Sequence, residues 1–256
     1  MKIDLHCHTK AGSFDAKVEL KDYIDKLKSC GFGGMMITDH SSYKGCKVWD
    51  HLKNRDEYKD FTVIKAVEYD TRDGGHILVI LPDGVLPSLL SIRGLSLKYL
   101  IKLVHSLGGI LGPAHPFGTK SSSFMHMKAA KKTPQLMKEF DFIEVFNTCE
   151  SAEANRKARS LAELLGKPGL GGSDAHKLDY VGMGYTEFEN PIHCNQDLIS
   201  AIKANEILAA GGIERASTLA MALKMHWAGV WSFKLYNRGL GYLFTPLRHR
   251  AAKASC

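Results

Sequence analysis

Met1-Lys2-Ile3-Asp4-Leu5-His6-Cys7-His8-Thr9 opens the chain. Lys2–Cys7 reads as a β-strand, because isoleucine, leucine and cysteine alternate with polar side chains at a period of two. Two histidines fall two positions apart at its end. They point the same way and can hold one ion, whereas Cys7 between them points to the opposite face. Further short apolar runs follow at Gly34–Thr38, Thr62–Glu68, His76–Leu81, Gly109–Ala114, Phe142–Phe146 and Gly169–Gly172. Segments of helical period separate several of them: Val18–Cys30 stopped by Gly31, Leu95–Leu107 by Gly108, and Ser151–Leu165 by Gly166. Glycine just past a helix lets the chain turn left-handed and close the last turn. Seven strands interleaved with helices predict an α/β chain whose largely parallel sheet curves into a barrel.

A chain of 256 residues, 45% of them hydrophobic, suffices for one large core. Met1–Thr9 carries Lys2, Asp4, His6 and His8 where a secretory signal would place an apolar stretch, and no run of about 18 apolar residues occurs. A cytoplasmic location is therefore expected. The six cysteines (Cys7, Cys30, Cys46, Cys149, Cys194, Cys256) form no CxxC pairs, as befits reduced thiols rather than a disulfide framework or a zinc ribbon. The net charge of +7 is unevenly placed. From Arg215 onward, Lys224, Lys234, Arg238, Arg248, Arg250 and Lys253 meet no acidic residue, and the body before them is formally neutral. The basic balance thus describes the tail and not the site. A boundary is expected after Ala210-Gly211-Gly212, with residues 1–212 as the main domain and 213–256 as a basic, aromatic, helical extension. Leu219, Leu223, Trp227, Val230 and Trp231 can share one face of that helix.

The residues that carry chemistry gather at the C-terminal ends of the expected strands. Asp39 and His40 follow the second, Glu68 ends the third, and His115 ends the fifth ahead of Pro116. Asp174 and His176 repeat the two-apart spacing behind Gly171-Gly172-Ser173. In a parallel barrel such ends converge on one mouth. Imidazoles and carboxylates suit zinc, manganese or iron, and ligands in excess of what one ion takes imply several ions.

Asp4-Leu5-His6-Cys7-His8-Thr9, Thr38-Asp39-His40, Ala114-His115-Pro116 and Gly172-Ser173-Asp174-Ala175-His176 together resemble the four motifs of the polymerase and histidinol phosphatase (PHP) family. The resemblance covers about residues 1–210. It implies a distorted seven-stranded, TIM-like (β/α) barrel with two or three bound divalent metals and a stand-alone phosphoesterase activity. By motif, His6, His8, Glu68 and Asp174 would hold a first ion. Glu68 would bridge to a second ion held by His76 and His115, and His40 and His176 would hold a third. Asp15 is the nearest candidate for the remaining ligand of that ion. His51, His105, His126, His193, His226 and His249 match no motif and are read as surface or packing residues, His126 standing in a loop-rich stretch within reach of a substrate.

The expected function is metal-dependent hydrolysis of a phosphomonoester, either a small phosphorylated metabolite or a nucleotide. A hydroxide between the ions sharing Glu68 would attack phosphorus. Glu68, Asp174 and His176 are the catalytic candidates, with His176 as proton donor to the leaving oxygen and Asp39 orienting a neighbouring histidine. Arg93 and Lys120 are the candidate phosphate contacts, ahead of Arg156 and Arg159. The alternatives are an exonuclease trimming short nucleic acid, a histidinol-phosphatase-like enzyme and a non-catalytic metal-binding module. A complete ligand set argues against the last. The tail is expected to meet an anionic surface, nucleic acid or a second subunit rather than to complete the site.

Overall fold

A computed structural model describes residues 1–85, 90, 92–119 and 122–215, together with Trp231 and Leu235. Lys120 and, apart from Trp231 and Leu235, the tail helix expected over 216–236 lie outside the described residues.

Nine strands and six α-helices follow one another among the described residues: β1 Lys2–Cys7, α1 Leu20–Ser29, β2 Gly34–Ile37, α2 Lys44–Leu52, β3 Thr62–Asp70, β4 His76–Ile80, α3 Leu97–Ser106, β5 Ile110–Pro113, α4 Lys128–Lys132, β6 Ile143–Asn147, α5 Ala152–Leu165, β7 Gly169–Gly172, β8 Gly184–Phe188, α6 Asn195–Lys203 and β9 Ile207–Gly212. Helix α1 forms because Leu20, Tyr23, Ile24 and Leu27 recur at helical spacing and are buried as one stripe. Helix α5 begins where the Ser151 hydroxyl accepts the Ala154 N–H at 3.2 Å and ends at Gly166, which turns left-handed with φ 61°.

Seven strands join in one curled sheet in the order β5-β4-β3-β2-β1-β8-β9, and β6 pairs with β7 apart from it. The expectation of a largely parallel sheet needs correction. Only β1–β2, β2–β3 and β6–β7 run parallel, whereas β3–β4, β4–β5, β1–β8 and β8–β9 are antiparallel. The reason is connection length: five residues join β3 to β4, enough for a hairpin but not for a crossover helix. This correction explains His76. As the first residue of a reversed strand, it pairs with Asp70 at the end of β3 and so stands at the same edge as Glu68 and His115. Strands β8 and β9 were not foreseen. Gly184–Phe188 shows a buried and half-buried alternation behind a turn, and Ile207–Gly212 is too rich in alanine and glycine to read as a strand alone.

Residues of alternate parity on β3, Ile64 and Ala66, pack with Ile3, Leu5, Leu78, Ile80, Ile110 and Phe142. Glu68 and Asp70 continue that same face. On β1 the alternation is broken by a register shift between Asp4 and Cys7. Ile3 and Leu5 join the cluster just named, while Cys7 packs with Leu20, Ile24 and Ile37 beneath α1. An extra residue in a strand re-aims the side chains beyond it, and here the shift sends His6 and His8 to the side of Glu68. The Cys7 thiol, as expected, points away from them.

Candidate metal centre

Each ligand candidate is fixed by a local device. Gly172 lets β7 lie flush against β1, since a Cβ there would come within 2.5 Å of the His6 Cβ and 2.6 Å of its backbone nitrogen. The Asp174 N–H then donates to the His6 carbonyl at 2.8 Å. Asp174 and His115 both adopt left-handed backbone angles, φ 51° and 30°, which non-glycine residues rarely take and which recur at functional sites. Strand β3 carries Glu68 on the face that His6 and His8 reach, and an isolated parallel bridge ties His40 to Glu68.

These devices bring the sequence candidates together. His8 Nε2 lies 3.1 Å from Asp174 Oδ1 and 3.4 Å from Glu68 Oε2, and His6 Nε2 lies 3.6 Å from each of the same two oxygens. The other Glu68 oxygen stands 2.9 Å from His76 Nδ1 and 3.1 Å from His115 Nε2. Asp15 Oδ2 reaches His176 Nε2 at 3.3 Å and His40 Nε2 at 3.8 Å. Ligand atoms fall within 4.8 Å of one another in four groups: His6-His8-Glu68, Glu68-His76-His115, His8-His40-His176 and His40-Asp70-His76. Among the described residues the first two share members with the first and second expected sets, the third joins His40 and His176 to His8 where Asp15 was the expected partner, and Asp70 in the fourth was not a candidate.

The donor set fits cations on tautomer grounds. His6 Nδ1 lies 2.8 Å from the buried Glu144 carboxylate, which can only accept, so Nδ1 carries a proton and Nε2 is the nitrogen turned inward. His8 Nδ1 lies 3.0 Å from Ser13 Oγ, whose own proton goes to Asp39 at 2.9 Å, so His8 Nε2 is left as an acceptor. The two inward nitrogens are 3.1 Å apart. One positive charge fits between them: a proton held on His6 in the metal-free chain, or a cation in its place. Buried polar atoms tell the same story: His40 Nδ1 and Glu68 Oε2 are 2.9 Å apart without hydrogen-bond geometry, and Asp70 Oδ1 has no hydrogen-bond partner. Buried atoms left this way are costly, and they converge on shared points instead of pairing.

Charge balance agrees. Burial alone would raise Glu68, but His76, His40 and His6 outweigh it and hold the carboxyl well below the usual range. Burial pushes His8 down to about 3, with His176 and His40 adding to the effect. Burial would also lower His6 and His76, yet Glu144, Asp174 and Glu68 raise the first well above its usual value, and Glu68 with Asp70 raises the second to about 10. Those protons occupy an anionic site that a metal ion would otherwise neutralise.

Asp39 does not touch a histidine. It accepts from the Thr9 N–H, the Thr9 hydroxyl and Ser13, and it orients His8 through Ser13. Arg93 stands at the rim with Nη1 3.8 Å from Asp70 Oδ2. His126 donates or accepts nothing toward the cluster that the structure records, its Nε2 meeting the Gly118 carbonyl at 3.0 Å. Arg156 and Arg159 are exposed on α5, and Arg159 bonds the Ala210 carbonyl at 3.1 Å. Sequence reading missed Ser13, Asp70, Glu144 and Ser123, whose hydroxyl lies 3.3 Å from His115 Nδ1. Glu144 had a signal: one acid inside the apolar run Phe142–Phe146 must be paired if that strand is buried. Arg215 was missed as well; it stacks on Tyr180 at 3.4 Å and reaches the Cys149 thiol, which in turn lies 3.3 Å from the Asp174 carbonyl.

Comparison with known proteins was made on sequence and on fold. The PHP domain pattern matches residues 4–169, and the PHP-associated pattern matches residues 152–207. No curated protein matches the sequence. Among solved structures, PsfC from Pseudomonas syringae aligns with a TM-score of 0.62 at 20% identity, over 87% of this chain and 96% of that one. A candidate metal-dependent phosphoesterase from Bifidobacterium adolescentis aligns with a TM-score of 0.57 at 15% identity, over 79% and 96%. The lesion-specific endonuclease PfuEndoQ from Pyrococcus furiosus aligns with a TM-score of 0.61 at 20% identity, over 83% of this chain but 59% of its own. At these identities the likeness is one of fold. No described helix is long and apolar enough to cross a membrane.

Proposed function

The chain belongs to the PHP domain family, and on that premise we propose that it hydrolyses phosphomonoesters with two or three bound divalent ions. His6, His8, Glu68 and Asp174 would hold one ion, Glu68, His76 and His115 a second, and Asp15, His40 and His176 a third. Bound ions would supply Lewis acidity toward the phosphoryl oxygens and bring the pKa of an attacking water near neutrality. Zinc, manganese and iron all suit this donor set.

The observation that carries the proposal is the pair of imidazole Nε2 atoms locked inward by Glu144 and by Ser13 with Asp39, beside the buried Glu68 and Asp174 carboxylates. Two nitrogens and two carboxylates turned on one point hold a positive charge there. His176 has Nδ1 at 3.0 Å from the Asp174 carbonyl, so only Nε2 is left for other work. It serves either as a ligand of the third ion or as the proton donor to the leaving oxygen, not both at once. Arg93, beside Asp70 at the rim, would meet phosphoryl oxygens as a positive group. Histidinol phosphate is one monoester within this class.

A cleft of about 420 Å³ favours a second reading. Phe117, Leu161, Leu164 and Arg156 line it, together with Lys157 paired to Glu153, and an apolar face beside an arginine suits a base stacked next to a phosphate. Protein stripped of metal and reloaded with manganese or zinc should turn over p-nitrophenyl phosphate and nucleoside monophosphates. Activity should vanish on chelation and return with metal. Loaded protein that cleaves bis(p-nitrophenyl) phosphate and short RNA but no monoester would replace the first reading with the second.

A further inference from the structure

Asp70 belongs to none of the ligand sets that the sequence motifs imply, yet it lies between two of them. It ends β3 two residues past Glu68, on the same face, and is 3% exposed. Its Oδ1 is 3.0 Å from His76 Nε2 and 3.9 Å from His40 Nδ1, and the ligand atoms of the three side chains fall within 4.8 Å of one another. The two carboxylate oxygens are treated differently. Oδ2 accepts the Ser41 hydroxyl at 3.3 Å and faces Arg93. Oδ1, the oxygen aimed at the histidines, is buried with no hydrogen-bond partner, and so is His40 Nδ1. A carboxylate oxygen withdrawn from water needs a positive charge beside it, either the His76 imidazolium at 3.0 Å or a cation held by the same three side chains.

We propose that Asp70 is itself a metal ligand, joining His40 and His76 around one ion; a neutral imidazole offers one lone pair, so in this role the two rings serve that ion instead of the second and third sets. The proposal rests on the reading of the cluster as a metal centre. Two imidazole nitrogens and a carboxylate oxygen suit zinc, manganese or iron. His76 offers Nδ1 to the Glu68 side and Nε2 to the Asp70 side, so Asp70 determines which way that ring serves. Ser41 and Arg93 hold the distal oxygen and thereby aim the proximal one. In this role Asp70 also ties the ion to the rim where Arg93 stands.

The competing role is orientation, in which Asp70 merely accepts a proton from His76, and a cycle of variants separates the two. Metal content after gel filtration and calorimetric titration of the metal-free full chain with Mn²⁺ would be measured for wild type, Asp70→Asn, His76→Ala and the double variant. The wild type should bind at least two ions. Asp70→Asn should weaken one class of ion by more than about a hundredfold, beyond the 10- to 100-fold typical of disturbing only a ligand's surroundings. It should weaken binding again in the His76→Ala background, where orientation of His76 has nothing left to act on. Unchanged Mn²⁺ binding in Asp70→Asn would overturn the proposal. So would an effect that disappears when His76 is absent. A wild type that binds no ion would overturn the metal centre as a whole, and the role of Asp70 with it. Far-UV circular dichroism of the metal-free variants checks the fold, and Asp70→Ser is read in the same way should the amide disturb folding.

Discussion

Replacing Glu144 with glutamine tests whether the ligand tautomers are imposed by the protein. Glu144 is 2% exposed. One of its oxygens faces His6 Nδ1 at 2.8 Å, and the other accepts the His115 N–H at 2.5 Å and the Asn147 amide at 3.1 Å. Glutamine presents one acceptor and one donor in their place. With its NH₂ toward His115 and Asn147, it would oppose two donors that cannot change. With its NH₂ toward His6, it opposes one donor that can move its proton to the other nitrogen. The second arrangement wins, and His6 then carries a proton on Nε2, the atom needed for metal. Disturbing a partner of a ligating histidine typically weakens metal binding by about 10- to 100-fold, equivalent to about 1.4–2.8 kcal/mol. Loss of a buried charged hydrogen bond should also lower stability by about 1.5–3 kcal/mol. Titration with Zn²⁺ gives the affinity, and ¹⁵N correlation spectra of the histidine rings report the tautomer directly. A Glu144→Gln protein with wild-type affinity and His6 still protonated on Nδ1 would refute the reasoning.

Glu68→Gln should reduce monoester hydrolysis by more than about a hundredfold with the fold intact, because an amide replaces neither the charge nor the pair of anionic oxygens, one facing His76 and His115 and the other His40 and His8; turnover at saturating manganese measures it. Gly172→Ala should cost about 1–3 kcal/mol in chemical denaturation, since the new methyl group meets the His6 backbone. Arg93→Gln should raise KM for a small monoester while leaving metal stoichiometry unchanged, as expected for a group that meets substrate rather than ions. The pH dependence of melting should change with metal. His76, raised to about 10, stabilises the metal-free fold fully below about pH 6.5, and that stability is lost as pH rises toward 10; Asp4, raised to about 6 chiefly by burial, adds a loss between about pH 4 and 6. The loaded fold needs His76 deprotonated, so its melting temperature should rise up to about pH 6.5 and then level off, over the window where that of the metal-free protein falls.

The local rules of the chain reached far. The two-residue spacing of His6 and His8, the glycine stops of α1, α3 and α5, and the seven expected strands all follow from periods and backbone preferences that neighbours along the chain express without help. The cluster of candidate ligands was legible for the same reason, because each sits at the end of a recognisable strand. Direction was not. Whether β4 returns antiparallel depends on what it pairs with, and only that reversal brings His76 beside Glu68. The register shift in β1 that turns His6 and His8 toward Glu68 is equally silent in the residues, since a shift is a relation between two strands. Ser13, Asp70 and Glu144 stayed hidden because a serine or an acid acquires its role from what it faces across the fold. Glu144 meets His6 over 138 positions of sequence, and no local period reports a contact of that span. Residue type thus decided which donor groups the chain offers, whereas long-range packing decided which nitrogen of His6 and of His8 is turned inward.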